Sequence, residues 1–294
     1  MSKINGIYAA SMSILNHDLS LNTKKTIEHA EMVIDQGCHG AAIFGSTGQA
    51  QLISISDKIN LFNHLSSSKY KEKYIIGTGL NSLSETINLM SVARSLNFKK
   101  FLIMPPAFYK YSDHNVISFY SKIIDAHPDC EIILYNFEKL CGYKFSVECV
   151  QELVKLFPEQ IIGVKDSSYN LFENLEIDNF SILPGSESKL LKGLELGCSG
   201  IITATCNATS SLARKVYDDF FKKNEQSANQ KLCDVRNTFE KYNLISGLHT
   251  FFSKNDLSYK NVLPPLSILN SKEEKELIDN LEKLNFSTKP VMVA

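Results

Sequence analysis

The chain has 294 residues, 44% of them hydrophobic, a composition typical of a soluble globular protein. Its 31 Lys and Arg residues nearly balance 32 Asp and Glu residues, which leaves a net charge of -1. This balance argues against the strongly basic surface that nucleic acids or anionic membranes select. No segment approaches about 18 consecutive apolar residues, so no membrane-spanning helix is predicted. We therefore expect a small-molecule substrate as partner, with neither nucleic acid nor membrane.

The N-terminal segment and the cysteines indicate a cytoplasmic protein. Residues 1–15 contain a single lysine and no apolar run of the kind found in a signal peptide. The seven cysteines are an odd number, and no two of them have C-x-x-C spacing. We interpret them as reduced, mostly buried small hydrophobic residues. Neither a metal site nor a cofactor is predicted.

Short β-branched runs alternate with amphipathic stretches at a nearly constant interval, which is typical of repeated βα units. Eight strands are predicted, at residues 6–15, 39–46, 74–80, 100–107, 130–137, 161–168, 180–186 and 199–206. Helices are predicted between and after them, at residues 22–36, 54–67, 82–96, 113–126, 146–157, 188–196 and 208–220. Serines at or just before several helix starts are suited to cap free backbone N–H groups.

Eight βα units predict an α/β fold, specifically a (β/α)8 TIM barrel, because an open doubly wound sheet usually has fewer strands. The G-x-G-x-x-G pattern of dinucleotide-binding sheets is also missing. The prediction places the barrel, with the active site, at residues 1–220. Residues 221–294 contain only helix-like segments, so we predict a C-terminal helical extension that packs on the barrel.

In such a barrel the active site lies at the C-terminal ends of the strands. Strand two ends in Gly-Ser-Thr-Gly at residues 45–48, where hydroxyls and backbone N–H groups are suited to bind a carboxylate. A tight turn before a capped helix explains this segment equally well. Strand five ends with Tyr135, which is either a functional phenol or a half-buried packing residue.

Strand six contains a lysine, Lys165, within an otherwise apolar segment. Lysine is rarely buried without a partner or a function, because removing an ammonium group from water is costly. A free amine at this position would condense with a ketone to give a Schiff base. The alternative is an ion pair between Lys165 and the adjacent Asp166.

These residues together favour chemistry on a 2-oxo acid. Tyr135 would transfer protons between the lysine adduct and the substrate oxygen. Ser46 and Thr47, with Gly48, would bind the substrate carboxylate. At the end of strand seven, we predict that three residues bind the rest of the substrate, namely Gly185, Ser186 and Glu187.

Three motifs resemble the dihydrodipicolinate synthase and N-acetylneuraminate lyase family of pyruvate-dependent class I aldolases. They are G-S-T-G at 45–48, Y-N at 135–136 and G-V-K-D at 163–166, in the family's order and spacing. The resemblance implies that Lys165 is the Schiff-base lysine, Tyr135 the proton shuttle, and Ser46 and Thr47 the carboxylate and relay positions. It also implies that the backbone of Ile202 faces pyruvate and that the protein is a homotetramer.

Departures from the family pattern bear on the substrate. Synthases of this family usually have an arginine for the second substrate where this chain has Leu140. The family's second aromatic, a tyrosine lent to the neighbouring subunit, corresponds to Phe108, so that relay is either lost or replaced by Tyr109. Relative to sialate lyases, Glu187-Ser188 replaces an acidic pair and Ala204 replaces a serine.

We therefore predict a lyase that reversibly cleaves a 2-oxo acid, of the 2-keto-3-deoxy sugar acid or N-acetylneuraminate type, to pyruvate and an aldehyde. One alternative is 4-hydroxy-tetrahydrodipicolinate synthase activity, which condenses pyruvate with aspartate semialdehyde. A second alternative, from another functional class, is a catalytically silent barrel that only binds a ligand.

Overall fold

The structure is a computed structural model that describes residues 4–287. Its single sheet contains eight parallel strands in the order β7-β6-β5-β4-β3-β2-β1-β8. The strands are Gly6–Ala10 (β1), Gly40–Ile43 (β2), Tyr74–Gly77 (β3), Lys100–Ile103 (β4), Glu131–Asn136 (β5), Ile161–Asp166 (β6), Ser181–Pro184 (β7) and Gly200–Thr203 (β8). The Ser199 N–H donates to the Ile182 carbonyl at 2.9 Å and brings β7 beside β8. The predicted (β/α)8 barrel is thereby confirmed.

Helices connect the strands and follow the barrel. They are Thr23–Asp35 (α1), Ile55–Leu65 (α2), Leu83–Ser95 (α3), Asp113–Ala126 (α4), Glu138–Cys141 (α5), Val147–Leu156 (α6), Leu190–Glu195 (α7), Cys206–Phe221 (α8), Asn229–Glu240 (α9), Leu244–Ser253 (α10) and Ser271–Lys283 (α11). The hydroxyls of Ser54, Ser82 and Ser146 each accept a backbone N–H bond at a helix start, which satisfies donors that the helix leaves unpaired. Within residues 4–287, no helix combines the length and the apolarity needed to cross a membrane.

Several strands end earlier than their apolar runs predict. The first predicted strand extended to residue 15, but β1 ends at Ala10. The apolar residues beyond it, Met12 and Ile14, are buried in a cluster with Phe239 and Leu248 of the C-terminal helices. Their hydrophobicity therefore reflects packing above the barrel rather than membership of the sheet.

The inside of the barrel is a cluster of mostly aliphatic side chains that contains one tyrosine. Its buried members are Ile4, Ala10, Ala42, Ile75, Leu102, Ile133, Tyr135, Ile162, Leu183 and Ile202. Alternate side chains of the strands point outward to a larger cluster shared with the surrounding helices. The interior is thus a packed core, and open space is confined to the ends of the strands.

A β-bulge directs the lysine of β6 into the barrel. The register between β5 and β6 shifts between Ile132 and Ile133, so that Ile133 pairs with Gly163 and Tyr135 with Lys165. A Cβ atom on Gly163 would lie 2.6 Å from the Ser181 carbonyl oxygen, so glycine permits this close approach. Bulges of this kind re-aim side chains, and they are frequent beside active sites.

The C-terminal extension is docked on the ends of the first strands, partly through buried histidines. His29 of α1 lies 2.8 Å from the Tyr259 hydroxyl and 2.8 Å from Asn207 Oδ1. His249 of α10 lies 2.7 Å from the Tyr259 carbonyl oxygen. The Leu263 N–H also donates to Gln49 Oε1 at 2.8 Å, just beyond β2. The extension is thus continuous with the barrel core.

These two histidines should make stability depend on pH. Burial lowers the pKa of both His29 and His249 to about 4, against an ordinary value near 6.5. The unfolded chain therefore binds protons between pH 6.5 and 4 that the folded chain excludes, and stability falls as pH falls through this window. We expect each histidine to contribute a loss of about 2 kcal/mol between pH 7.5 and 5.

Urea denaturation at pH 7.5 and pH 5 would measure this loss. The variant His249→Gln should show a smaller difference between the two pH values than the unmodified chain. The assignment is wrong if the variant and the unmodified chain lose equal stability.

Candidate active site

Lys165 and Tyr135 form the centre of the site, side by side on neighbouring strands. They are register partners on β6 and β5, and each is almost fully buried. Lys165 Nζ lies 4.2 Å from the centroid of the Tyr135 ring. The aromatic face provides a favourable surface for a cationic nitrogen, whether ammonium or iminium.

The hydroxyl of Tyr135 connects to the end of β2. Ser46 Oγ lies 3.0 Å from the Tyr135 hydroxyl, and either atom can act as the donor. Phe44, at the end of β2, has a φ of 56°, a left-handed conformation that turns the chain out of the sheet. This turn brings Ser46 and the buried Thr47 over the barrel end, beside Tyr135.

The alternative ion pair between Lys165 and Asp166 is not formed. The Asp166 carboxylate is buried on the other side of the strand, where it accepts bonds from Asn136 Nδ2 at 2.8 Å and from three backbone N–H groups of residues 169–172. Burial raises the pKa of Asp166, and these hydrogen bonds oppose the rise. The ion pairs within the part of the chain that the structure describes do not include Lys165.

A cavity of about 230 Å³ opens above these residues. Five predicted site residues line it together, namely Ser46, Thr47, Tyr135, Lys165 and Gly185. Nine further described residues complete its wall, namely Phe137, Leu140, Ser167, Tyr169, Ala204, Arg236, Asn243, Leu244 and Ile245. The barrel ends thus bring an amine, a phenol and several hydroxyls into one cavity.

Glu187 requires a correction, because its carboxylate does not reach the cavity as predicted. It is fully buried and accepts bonds from Thr203 Oγ1 at 2.7 Å and Thr209 Oγ1 at 3.1 Å. Its Oε2 atom also lies 3.1 Å from Arg236 Nη1. Glu187 is therefore the buried counter-ion of Arg236, and it is Arg236 that lines the cavity.

Four other predicted site residues lie outside the cavity wall. Gly48 forms the turn, where its carbonyl accepts from Ser13 Oγ at 2.7 Å. The Ser186 hydroxyl is bonded to that of Ser188, 2.9 Å away. The Ile202 side chain is buried inside the barrel on β8. Tyr109 is 78% exposed on the surface, so within one chain it cannot relay protons to Tyr135.

The C-terminal extension contributes to the cavity wall, which was not predicted from the sequence. Arg236 on α9, together with residues 243–245 at the start of α10, reaches the cavity from a part of the chain expected only to pack. Burial alone would lower the pKa of the Arg236 guanidinium. The carboxylates of Glu187 and Glu240 raise this pKa by more, so that it lies above its ordinary value. No local motif marks this arginine, because its role depends on contacts with residues far away in sequence.

The pair formed by Glu187 and Arg236 allows a stability prediction. Glu187→Ala leaves a buried guanidinium without its innermost carboxylate, so we expect a loss of about 3–5 kcal/mol of unfolding free energy. Glu240→Ala is the matched control: it removes the other carboxylate of Arg236, whose side chain is 42% exposed. That loss should not exceed about 1 kcal/mol. Chemical denaturation compares the two variants, and equal losses would contradict the assignment.

A second cavity of about 570 Å³, mostly apolar, lies beside the first and shares five lining residues with it, namely Ser46, Tyr135, Leu140, Asn243 and Ile245. Within residues 4–287 no three His, Cys, Asp or Glu side chains are grouped so as to hold a metal ion.

Comparison with known proteins identifies the family. The profile of the dihydrodipicolinate synthetase family matches residues 3–284. An uncharacterized DapA-like lyase of Chloroflexus aurantiacus is 26% identical, over 99% of this chain and 100% of that protein. A 4-hydroxy-tetrahydrodipicolinate synthase of Methanothermobacter thermautotrophicus is 24% identical, over 89% of this chain and 92% of that protein.

A solved structure has the same fold. The crystal structure of dihydrodipicolinate synthase DapA-2 from Bacillus anthracis superposes with a TM-score of 0.87 at 22% identity, covering 96% of this chain and 99% of that one. The matched profile covers the barrel, the lysine of β6 and the helical extension alike. The chain thus belongs to the dihydrodipicolinate synthetase family and is a lyase of the class I aldolase type.

Proposed function

We propose that the protein reversibly cleaves a 2-oxo acid to pyruvate and an aldehyde through a Schiff base on Lys165. The observation that carries this proposal is the placement of Lys165. It is buried without a carboxylate partner, lies against the Tyr135 ring, and lines the same cavity as the Ser46 hydroxyl. A buried amine beside a proton-transferring group is what carbonyl condensation requires.

The reaction follows from this arrangement. The Lys165 amine adds to the C2 carbonyl carbon, and the resulting hydroxyl leaves as water after Tyr135 delivers a proton, which gives an iminium ion. The hydroxyl at C4 then gives its proton to the Tyr135 phenolate as the C3–C4 bond breaks. The bonding electrons move toward the iminium nitrogen, the aldehyde departs, and an enamine remains. Protonation at C3 and addition of water release pyruvate and restore the amine.

Ser46 and Thr47 have different roles in this reaction. The hydrogen bond between Ser46 and Tyr135 supplies a route for the proton away from the phenol. The buried Thr47 and the backbone of the same turn bind the substrate carboxylate. No cofactor is required, because the lysine adduct itself accepts the electron pair.

For the substrate, we propose a 2-keto-3-deoxy sugar acid rather than a nine-carbon sialic acid. Ala204 is part of the cavity wall, and the Glu187 carboxylate is bonded to Arg236. These features leave few acceptors for a long polyhydroxyl tail. Synthase activity with aspartate semialdehyde is the alternative that the similarity to the Methanothermobacter enzyme supports.

We also propose a homotetramer in which an exposed aromatic pair lies between subunits. Phe108 is 88% exposed and has a φ of 80°, and Tyr109 beside it is 78% exposed. Large apolar side chains held out into solvent in a left-handed conformation are suited to an interface. In such an assembly Tyr109 would reach a neighbouring subunit. Light scattering measures the assembly, and a monomer would contradict this part of the proposal.

The decisive experiment traps the covalent intermediate. The protein is incubated with pyruvate and sodium borohydride, digested, and analysed by peptide mass spectrometry. We expect a reduced pyruvate adduct on the peptide that contains Lys165. If no adduct forms there, the Schiff-base mechanism is wrong, and a ligand-binding barrel without turnover becomes the better explanation.

A further inference from the structure

We propose that Tyr169 limits the length of the substrate, because its ring closes the cavity where the aldehyde half extends beyond Lys165. This inference rests on the proposed function, since it assigns a specificity to the same cavity. It makes contact with one aromatic ring the reason why the enzyme cleaves short 2-keto-3-deoxy sugar acids and excludes nine-carbon acids.

The first support is the direction in which the substrate extends. In the proposed reaction the carboxylate binds at Ser46 and Thr47, just beyond β2, and the keto carbon bonds to Lys165 on β6. In the strand order of the barrel, β2 and β6 are four strands apart, which places them on opposite sides of a closed ring of eight. The carbons beyond the keto group therefore point away from β2, toward the wall formed by the residues that follow β6 and β7.

Tyr169 lies in that wall. It follows the end of β6 by three residues, and it lines the cavity together with Lys165 and Gly185. Lys189, which follows β7, has its Nζ atom 5.7 Å from the centroid of the Tyr169 ring. The ring thus stands at the edge of the cavity between the ends of β6 and β7, where the tail of a long substrate would have to pass.

The second support is the backbone of Tyr169, whose φ is 60°. This left-handed conformation is sterically unfavourable for a residue with a Cβ atom, and particularly for a bulky one. A glycine or an asparagine would form the same turn at lower cost. Residues held in such conformations are concentrated at ligand-binding sites. The aromatic ring is therefore a feature that the turn itself does not need.

The strained turn is held by the buried carboxylate of Asp166. Its Oδ1 atom accepts the N–H of Tyr169 at 2.9 Å, and its Oδ2 atom accepts two further N–H groups of the same turn, at 2.9 and 3.0 Å. Asn136 of β5 donates to both Asp166 Oδ1 and Asn170 Oδ1, at 2.8 Å each. The backbone that carries the ring is thus fixed to the ends of two strands, and it cannot move aside for a long substrate without breaking these bonds.

The test measures cleavage of two acids, 2-keto-3-deoxygluconate with six carbons and N-acetylneuraminate with nine, by the pyruvate that each releases. Tyr169→Gly removes the ring and adopts the left-handed conformation without strain, so the turn should be retained. We expect this variant to raise kcat/KM for N-acetylneuraminate by at least about 10-fold. Its kcat/KM for the six-carbon acid should stay within about threefold of that of the unmodified enzyme.

Tyr169→Phe is the matched control, because it keeps the ring and the backbone and loses only the hydroxyl. It should gain no cleavage of N-acetylneuraminate over the unmodified enzyme. Tyr169→Asn is a second shortened variant that also tolerates the left-handed conformation, and it should show the same gain as the glycine variant. Urea denaturation shows whether each variant folds, and the borohydride-trapped pyruvate adduct on Lys165 shows whether its site is intact.

Three results would overturn the inference. With the Lys165 adduct intact, the first is no gain on N-acetylneuraminate in the shortened variants, and the second is an equal gain in Tyr169→Phe, which would assign the effect to the hydroxyl. The third is an absent adduct in the unmodified enzyme, which overturns the proposed function and the length limit together. The adduct thus separates failure of this inference from failure of the mechanism.

Discussion

Replacement of Lys165 by alanine is expected to abolish adduct formation with pyruvate and to lower kcat by more than about 10⁴-fold, because the covalent path is then closed. The fold should persist. Lys165 makes no ion pair with the described carboxylates, and its loss spares the bonds by which Asp166 joins β6 to Asn136 of β5 and to Leu171 of the following segment. The measurements are borohydride trapping, steady-state turnover and the unfolding midpoint of the same preparation.

Lys58 provides a matched control for this variant. It is also almost fully buried, it also lies near an aromatic ring, that of Phe44, and burial lowers its pKa to about 8. It is on α2 and does not line the cavity that contains Lys165. Lys58→Met should therefore retain the adduct and turnover. Trapped pyruvate on Lys58 in place of Lys165 would refute the assignment of the nucleophile.

Replacement of Tyr135 by phenylalanine is expected to lower kcat by about 10²- to 10⁴-fold, the usual contribution of a positioned general acid or base. The aromatic face against Lys165 Nζ is retained, and only the hydroxyl bonded to Ser46 is lost. Adduct formation should therefore become slow but remain detectable, whereas the Lys165 variant forms none. Rates of trapping and of turnover distinguish these cases.

Tyr120→Phe is the appropriate control for the loss of a buried phenol. The Tyr120 hydroxyl donates to the Ile103 carbonyl at 2.7 Å in the layer between the barrel and its helices, away from the cavity. This variant should lose about 1 kcal/mol of stability and keep its turnover. If both tyrosine variants reduce turnover equally, the role of Tyr135 is structural rather than catalytic.

The predicted position of each strand agrees with the structure because all eight strands are buried on both faces. Such strands are short apolar runs that are recognisable without tertiary information. Their C-terminal ends were less predictable. Met12 and Ile14 continue the apolar run of β1, and only contact with α9 and α10 shows that they have left the sheet.

The candidate site likewise contains residues that the sequence could place and contacts that it could not. Lys165, Tyr135, Ser46 and Thr47 lie at or near the ends of strands whose places in the barrel follow from their order, so the sequence could bring them together. Glu187, just beyond β7, was predicted to bind the rest of the substrate. Its carboxylate turns to Arg236, 49 residues later in the chain, and that pairing has no local signature.

By itself, the sequence predicted the barrel from periodic burial, a buried lysine from its place in an apolar strand, and the family from the resemblance of three motifs at strand ends. Only the tertiary structure decided which way each polar side chain points. It showed that Asp166 faces away from Lys165, that Tyr109 lies on the surface, and that a helix of the C-terminal extension places Arg236 in the cavity wall. The physical reason is that charge pairing acts through space, and the partner that best offsets the cost of burial can be remote in sequence.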